Sequence, residues 1–149
     1  MKTVICYYSR HHGNTKKVLD AMAGAGDVEL LDVTSGKELD LEGYDVVGFA
    51  SGIYYGKFHQ SVVDFAERNL PQGKKVFFVF TGGAPKKSNA DSVKAAIASK
   101  APVLLGDYFC RGYDTFGPFK LVGGIAKGRP NAEELNKARE FYRAVVDKA

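Results

Sequence analysis

The residues with types and spacing suited to chemistry begin at Ser9-Arg10-His11-His12-Gly13-Asn14-Thr15, where the apolar run Thr3 to Tyr8 stops and a helical pattern starts. That order reads as a strand, a tight turn and a helix start. A helix start leaves about four backbone N–H groups without intrahelical partners and carries roughly half a positive charge, so small and hydroxyl residues there form an anion seat. The chemistry is phosphate binding rather than bond making. A P-loop would need G-x-x-x-x-G-K-[ST] and a dinucleotide site G-x-G-x-x-G. This turn has one glycine, Gly13, and no lysine before Thr15. A terminal phosphate monoester fits it better than a pyrophosphate, and the plain alternative is that Asn14 or Thr15 merely caps the helix.

A second unusual stretch is Ser51-Gly52-Ile53-Tyr54-Tyr55-Gly56-Lys57, two glycines enclosing three large apolar residues after an apolar run. Tyrosines exposed without a partner gain little, so a planar ring laid against them would explain the composition. A third glycine-rich turn, Thr81-Gly82-Gly83-Ala84-Pro85, follows another apolar run. His11, His12 and His59 are poor candidates for a metal site: adjacent histidines in a turn point apart, and no carboxylate or cysteine stands at ligand spacing. No catalytic residue is assigned. Cys6 and Cys110 lie inside apolar runs without C-x-x-C spacing and read as buried free thiols.

The elements that position these turns follow from periodicity. Thr3 to Tyr8 reads as a central parallel strand covered on both faces. Val18, Ala21, Met22 and Ala25 then form the apolar stripe of a helix. Residues 27–33 alternate more and suit a strand near the sheet edge; 34–42 read as a loop. Tyr44 to Ala50 is a third strand, with Ser51 to Lys57 as the loop after it. Phe58, Val62, Phe65, Ala66 and Leu70 recur at helical spacing before Pro71-Gln72-Gly73. Lys75 to Phe80 is a fourth strand. Ser88 and Asp91 resemble a capping box for a helix to about Ser99, and a fifth strand is placed at Val103 to Phe109. The last helix starts at Asn131, with Glu134 three residues on, and buries Leu135, Ala138, Tyr142 and Val145. Residues 111–124, with glycines, aromatics and a proline but no period, read as a long ordered loop near the site.

Strands alternating with helices make an α/β doubly wound domain, here expected to span residues 1–149. A chain of 149 residues with 45% hydrophobic and 26% charged residues suits one soluble domain burying close to 70% of its unfolded surface. No run approaches ~20 apolar residues, so no membrane span or secretory leader is expected and the default address is cytoplasmic. The net charge of +4 is spread along the chain. That argues against nucleic acid and hints at an anionic partner or substrate.

Tyr8 to Thr15 resembles the phosphate loop of the flavodoxin family, T/S-x-T-G-N-T after a strand ending in Tyr or Phe, with Gly13-Asn14-Thr15 matching outright. Arg10 and His12 replace the family's usual hydroxyls and put a permanent cation beside the phosphate. The resemblance implies a five-stranded parallel sheet of order 2-1-3-4-5 with helices on both faces. Flavodoxin is itself a type example of ligands binding beyond the carboxyl ends of such strands, so this geometry comes from the family. It further implies FMN as cofactor, its phosphate held by Ser9 to Thr15. Ser51 to Lys57 would flank the isoalloxazine, with Tyr54 or Tyr55 packing on it, and Thr81, Gly82, Gly83 and Ala84 would contact its other edge. Gly56, in preference to Gly52, would turn its peptide toward the reduced N5. The implied function is electron transfer with redox partner proteins, the flavin cycling between oxidised, semiquinone and hydroquinone states. The family's electron carriers are acidic, which this chain is not.

Ile53 to His59 is also similar to the I-R-Y-G-x-x-H pattern of oxygen-independent protoporphyrinogen dehydrogenase, with tyrosine in place of arginine and no evident counterpart of that enzyme's basic insert. A small FMN-dependent oxidoreductase, of that kind or quinone reductase-like, is therefore one alternative, and a non-redox phosphate-ligand binding module is another. Two architectures with related signals are set aside. A receiver domain needs carboxylates after strand 1 and at the end of strand 3, where Tyr8-Ser9-Arg10 and Phe49-Ala50-Ser51 stand. The C-x5-R phosphatase loop fails because His12 lies six residues after Cys6.

Overall fold

The computed structural model describes residues 1–10, 13–112 and 128–149. The element order is β1 (Thr3–Tyr8), α1 (Asn14–Ala23), β2 (Val28–Asp32), β3 (Val46–Tyr54), β4 (Lys57–Phe58), α2 (Gln60–Asn69), β5 (Lys75–Gly82), α3 (Asp91–Ile97), β6 (Val103–Arg111) and α4 (Ala132–Lys148). Strands β2-β1-β3-β5-β6 lie side by side, every pair parallel. This is the expected order 2-1-3-4-5 once the two-residue β4 is set apart. β4 is an addition to the expected sheet: it pairs antiparallel with the end of β3.

The central strands are apolar on consecutive residues because both faces are covered. In β1, Val4, Ile5 and Cys6 are all fully buried. Val4 and Cys6 pack with Val62 and Ala66 of α2 and Val93 and Ile97 of α3. Ile5 packs on the other face with Val18, Leu19 and Met22 of α1 and Ala138, Tyr142 and Val145 of α4. Period-two alternation within an apolar strand thus sorts side chains between two cores. Both thiols are buried and free, as expected; burial pushes each up to about 12.

Several boundaries move. β3 runs four residues past Ala50, so Ser51 to Tyr54 belong to the strand rather than to a loop. Phe58 sits in β4, and α2 starts only at Gln60 because the His59 ring nitrogen Nδ1 accepts the Ser61 N–H at 3.1 Å as the helix cap. Strands β5 and β6 each extend two residues beyond the expected ends. The Ser88/Asp91 capping box is not formed; Asn89 accepts the Lys86 N–H instead, in a short 3-10 turn before α3. The capping box of α4 forms as expected, Asn131 Oδ1 and Glu134 Oε1 each accepting the other residue's N–H at 2.9 Å. Between Val76 and Phe77 the β5–β6 register slips by one residue, leaving Leu105 as a bulge whose carbonyl accepts the Lys148 ammonium at 3.2 Å.

Candidate functional site

The three turns singled out by composition meet at one edge of the sheet. Parallel pairing sets Tyr8 beside Ser51, Gly52 beside Thr81, and Gly82 beside Arg111, so β1, β3, β5 and β6 all end there. The first turn closes with the Gly13 N–H donating to the Arg10 carbonyl at 3.3 Å. Gly13 then takes φ +66, and a Cβ there would meet nothing within 4 Å. A left-handed residue at this position is what bends the chain into α1, and glycine adopts it at no steric cost. With glycine as the cap, the N-cap residue itself supplies no side-chain bond to the first helical turn, and no acidic residue stands in it. Ser9 Oγ accepts the Lys16 N–H at 3.1 Å, bracing the turn from outside. His11 and His12 lie outside the described residues.

Thr15 ties the first turn to the third. Its hydroxyl lies 2.8 Å from that of Thr81, and both residues are buried. Gly82 accepts the Gly112 N–H at 2.9 Å, and Arg111 Nε donates to the Gly83 carbonyl at 3.1 Å, so the end of β6 fixes the turn after β5. Gly112 packs against Asn14 so closely that a Cβ would come within 2.7 Å of its side chain. Ala84 is exposed beside this turn.

The second turn is a β-hairpin. Ile53 pairs with Phe58 and Tyr54 with Lys57, leaving a two-residue turn, Tyr55-Gly56, with φ values of +50 and +80. Positive φ at both central residues matches the twist of a hairpin, but a tyrosine in that region is strained by of order 1–3 kcal/mol. The Tyr55 side chain is 81% exposed, whereas Tyr54 turns inward. The Tyr54 ring lies edge-on to Tyr8 at 6.0 Å and to His59 at 5.3 Å, and Tyr8 stacks on the His59 imidazole at 3.8 Å. Ser51 holds the base of the hairpin, its Oγ accepting the His59 N–H and donating to the Gly52 carbonyl. Burial pushes the His59 imidazole below its usual range. As its Nδ1 already accepts from Ser61, the neutral ring is the state the cap requires.

Two contributors were not singled out by sequence reasoning. Asn89, only 3% exposed, donates from Nδ2 to the Gly56 carbonyl at 2.9 Å while its Oδ1 accepts from Lys86 N at 2.7 Å. It clasps the hairpin to the segment after β5. Arg111 is the other, and its signal was obscured because the fifth strand was ended two residues early. Arg10 stands over the Tyr8 ring at 5.4 Å, with Asp32 at 3.9 Å. No group of three or more His, Cys, Asp or Glu suited to a metal occurs among the described residues. No helix among them is long and apolar enough to cross a membrane. The segment 113–127, most of the long loop after β6, lies outside the described residues.

A family model described as a flavodoxin domain matches residues 4–108, which contain all three turns. The chain belongs to the flavodoxin family. An uncharacterized protein of Methanocaldococcus jannaschii is 36% identical over 148 residues, covering 98% of this chain and 99% of that one. Among solved structures, flavodoxin 2 from Bacillus cereus superposes with a TM-score of 0.72 at 18% identity, covering 100% of each chain. Fusobacterium nucleatum flavodoxin bound to flavin mononucleotide gives 0.68 at 12% identity, covering 99% of each. At such identities these structural matches speak for the fold alone.

Proposed function

We propose that this chain binds FMN at the carboxyl edge of its sheet and carries electrons between protein partners. The observation that supports this most is the convergence of a glycine-capped helix start, without acidic residues, on a hairpin that presents an exposed tyrosine in a strained turn. Phosphate and ring then have separate seats on one edge. Bound there, FMN supplies the redox chemistry, taking up and releasing electrons one at a time.

The residues of the chain bind and orient. Ser9 to Thr15, including His11 and His12, hold the phosphate, the backbone amides of the first turn supplying donors and Arg10 a cation. Ser51 to Lys57 flank the ring. Of the two tyrosines, Tyr55 supplies the ring face, since it is 81% exposed at the tip of the hairpin. Thr81 to Ala84 would border the opposite edge, and the Gly56 peptide, whose carbonyl Asn89 holds at 2.9 Å, would supply a hydrogen bond to the ring. Titration of the FMN-free protein with FMN, followed by quenching of flavin fluorescence, tests the reading. Stoichiometric binding with loss of fluorescence supports it; no binding, or equal binding of riboflavin without its phosphate, overturns it.

Asn89→Ala should weaken FMN binding several-fold and lower stability by about 1 kcal/mol, because it removes the two part-buried hydrogen bonds that clasp the Lys86 N–H and the Gly56 carbonyl. The same titration and urea unfolding measure both effects. Cations facing the ring should also make the anionic reduced flavin less unfavourable than in acidic flavodoxins. The second reduction potential is therefore expected to lie above theirs and to fall in Lys57→Glu, read by spectroelectrochemical titration.

A small FMN-dependent oxidoreductase is a second reading, favoured by His59, a neutral imidazole stacked on Tyr8 at the same edge. Steady-state turnover of a quinone by the FMN-loaded protein, lost in His59→Gln, would distinguish it from a carrier.

A further inference from the structure

We propose that the carboxyl edge of the sheet is a docking face for an acidic protein, seated on Lys86 and Lys87 and on the neighbouring hairpin. The proposal rests on the electron-carrier reading, since a partner must meet a carrier at the edge where its ring lies. None of the chain's 17 acidic residues falls within 1–19, 46–63 or 70–90, the three segments that supply the turns of this edge. Lys57, Lys86 and Lys87 are exposed, and none of them forms an ion pair with a described residue. Among the described residues the carboxylates at the margins of this edge are Asp32, which faces Arg10, Asp91, which opens α3, and Glu133 and Glu134, which line a cavity with Ala84 and Pro85, Glu134 being paired with Arg129.

The lysines are also held in place. Asn89 bonds the Lys86 backbone on one side and the Gly56 carbonyl on the other, so the cations of two separate turns share one frame. Tyr55, in the turn of the same hairpin, is 81% exposed. An exposed aromatic beside cations that pair with no described residue suits a protein surface bearing carboxylates: preorganisation lowers the ordering cost, and opposite charge steers the encounter. Nucleic acid would call for a longer basic stripe than these turns supply.

The probe is an acidic ferredoxin with two [4Fe–4S] clusters. Reduced ferredoxin is mixed with the oxidised FMN-loaded protein in a stopped-flow instrument; one electron leaves a cluster and the flavin gains it. The rate constant is expected to fall at least about tenfold as salt rises from about 20 to about 500 mM. At low salt K86E/K87E should lower it about tenfold with FMN affinity unchanged, because a change of four charge units, from +2 to −2, reverses the steering field. Arg68→Glu with Arg143→Glu, an equal change of charge on exposed residues toward the other end of the sheet, should alter it less than about twofold. If the charge-reversed variant fails to fold, K86Q/K87Q serves in its place.

A second readout needs no flavin. Amide resonances of the FMN-free protein titrated with oxidised ferredoxin should shift around residues 55–57 and 84–89. Such shifts without FMN binding would leave the docking face standing while the cofactor reading fell. A rate that rises with salt, equal losses in the two charge-reversed proteins, or capture of this face by duplex DNA or anionic vesicles with no response to ferredoxin would overturn the proposal.

Discussion

Glu134→Ala should destabilise the fold by about 1–2 kcal/mol, between what an exposed and a buried ion pair cost to break. The Glu134 carboxylate is 11% exposed and forks onto Arg129, Nε at 2.5 Å and Nη2 at 2.9 Å, while also accepting the Asn131 N–H. Alanine would strand the guanidinium and remove half of the α4 capping box. Because the Arg129 side chain keeps 35% exposure, part of its hydration returns, which is why the cost falls below that of a fully buried pair. The double variant Arg129→Leu with Glu134→Leu should recover much of the loss, since no unpaired charge remains. Urea unfolding of the single and double variants measures both.

The same pair sets the acid limit of the fold. Burial alone would raise the Glu134 carboxyl, but the Arg129 hydrogen bond and the Asn131 N–H outweigh it and hold the group below the usual carboxylate range. A group held down in this way stabilises the fold fully above its unfolded pKa of about 4.3, and loses that contribution as pH falls through its lower folded value. His59 acts earlier. Its imidazole is also held down, so the fold begins to lose stability as pH drops below about 6.5, when the unfolded chain binds the proton more readily. Unfolding midpoints should therefore decline in two stages, the upper one absent in His59→Asn.

Gly48→Ala is the second large effect expected, at about 1–3 kcal/mol of destabilisation. Gly48 pairs with Phe77 in the middle of the sheet, and a Cβ there would lie 2.6 Å from the Phe77 ring. That ring cannot swing aside freely, since it meets Phe141 at 6.0 Å and Tyr142 at 6.4 Å in edge contacts. Phe77→Leu opens space over Gly48, so the double variant should lose less than the two single losses combined. Chemical denaturation of all four proteins gives the coupling directly.

Gly48 also shows where reading the sequence stopped short. Nothing in Val46-Val47-Gly48-Phe49 announces that the glycine makes room for an aromatic ring two strands on in the chain, because that requirement is tertiary. The fold itself was legible: consecutive apolar residues in β1, β3 and β5 match strands covered on both faces, and Gly13-Asn14-Thr15 marked the turn into α1. The edge loops were legible in composition but less so in shape. Ser51 to Tyr54 read as loop because glycines and tyrosines break the apolar pattern, yet Ser51 and Gly52 pair with the ends of β1 and β5, and Ile53 and Tyr54 with β4. Asn89 left no signal, since a side chain bonding two backbones 33 and 3 residues away has no local period.

The bulge at Leu105 has a consequence for crowding. Val103 and Leu104 are about half exposed on the outermost strand, the kind of apolar margin onto which a neighbouring molecule could add a strand of its own and seed a fibril. The register slip twists that margin, and the Lys148 ammonium occupies the Leu105 carbonyl that such an invader would need. One irregular residue thus makes this margin a poorer template for a foreign strand than a straight border would be.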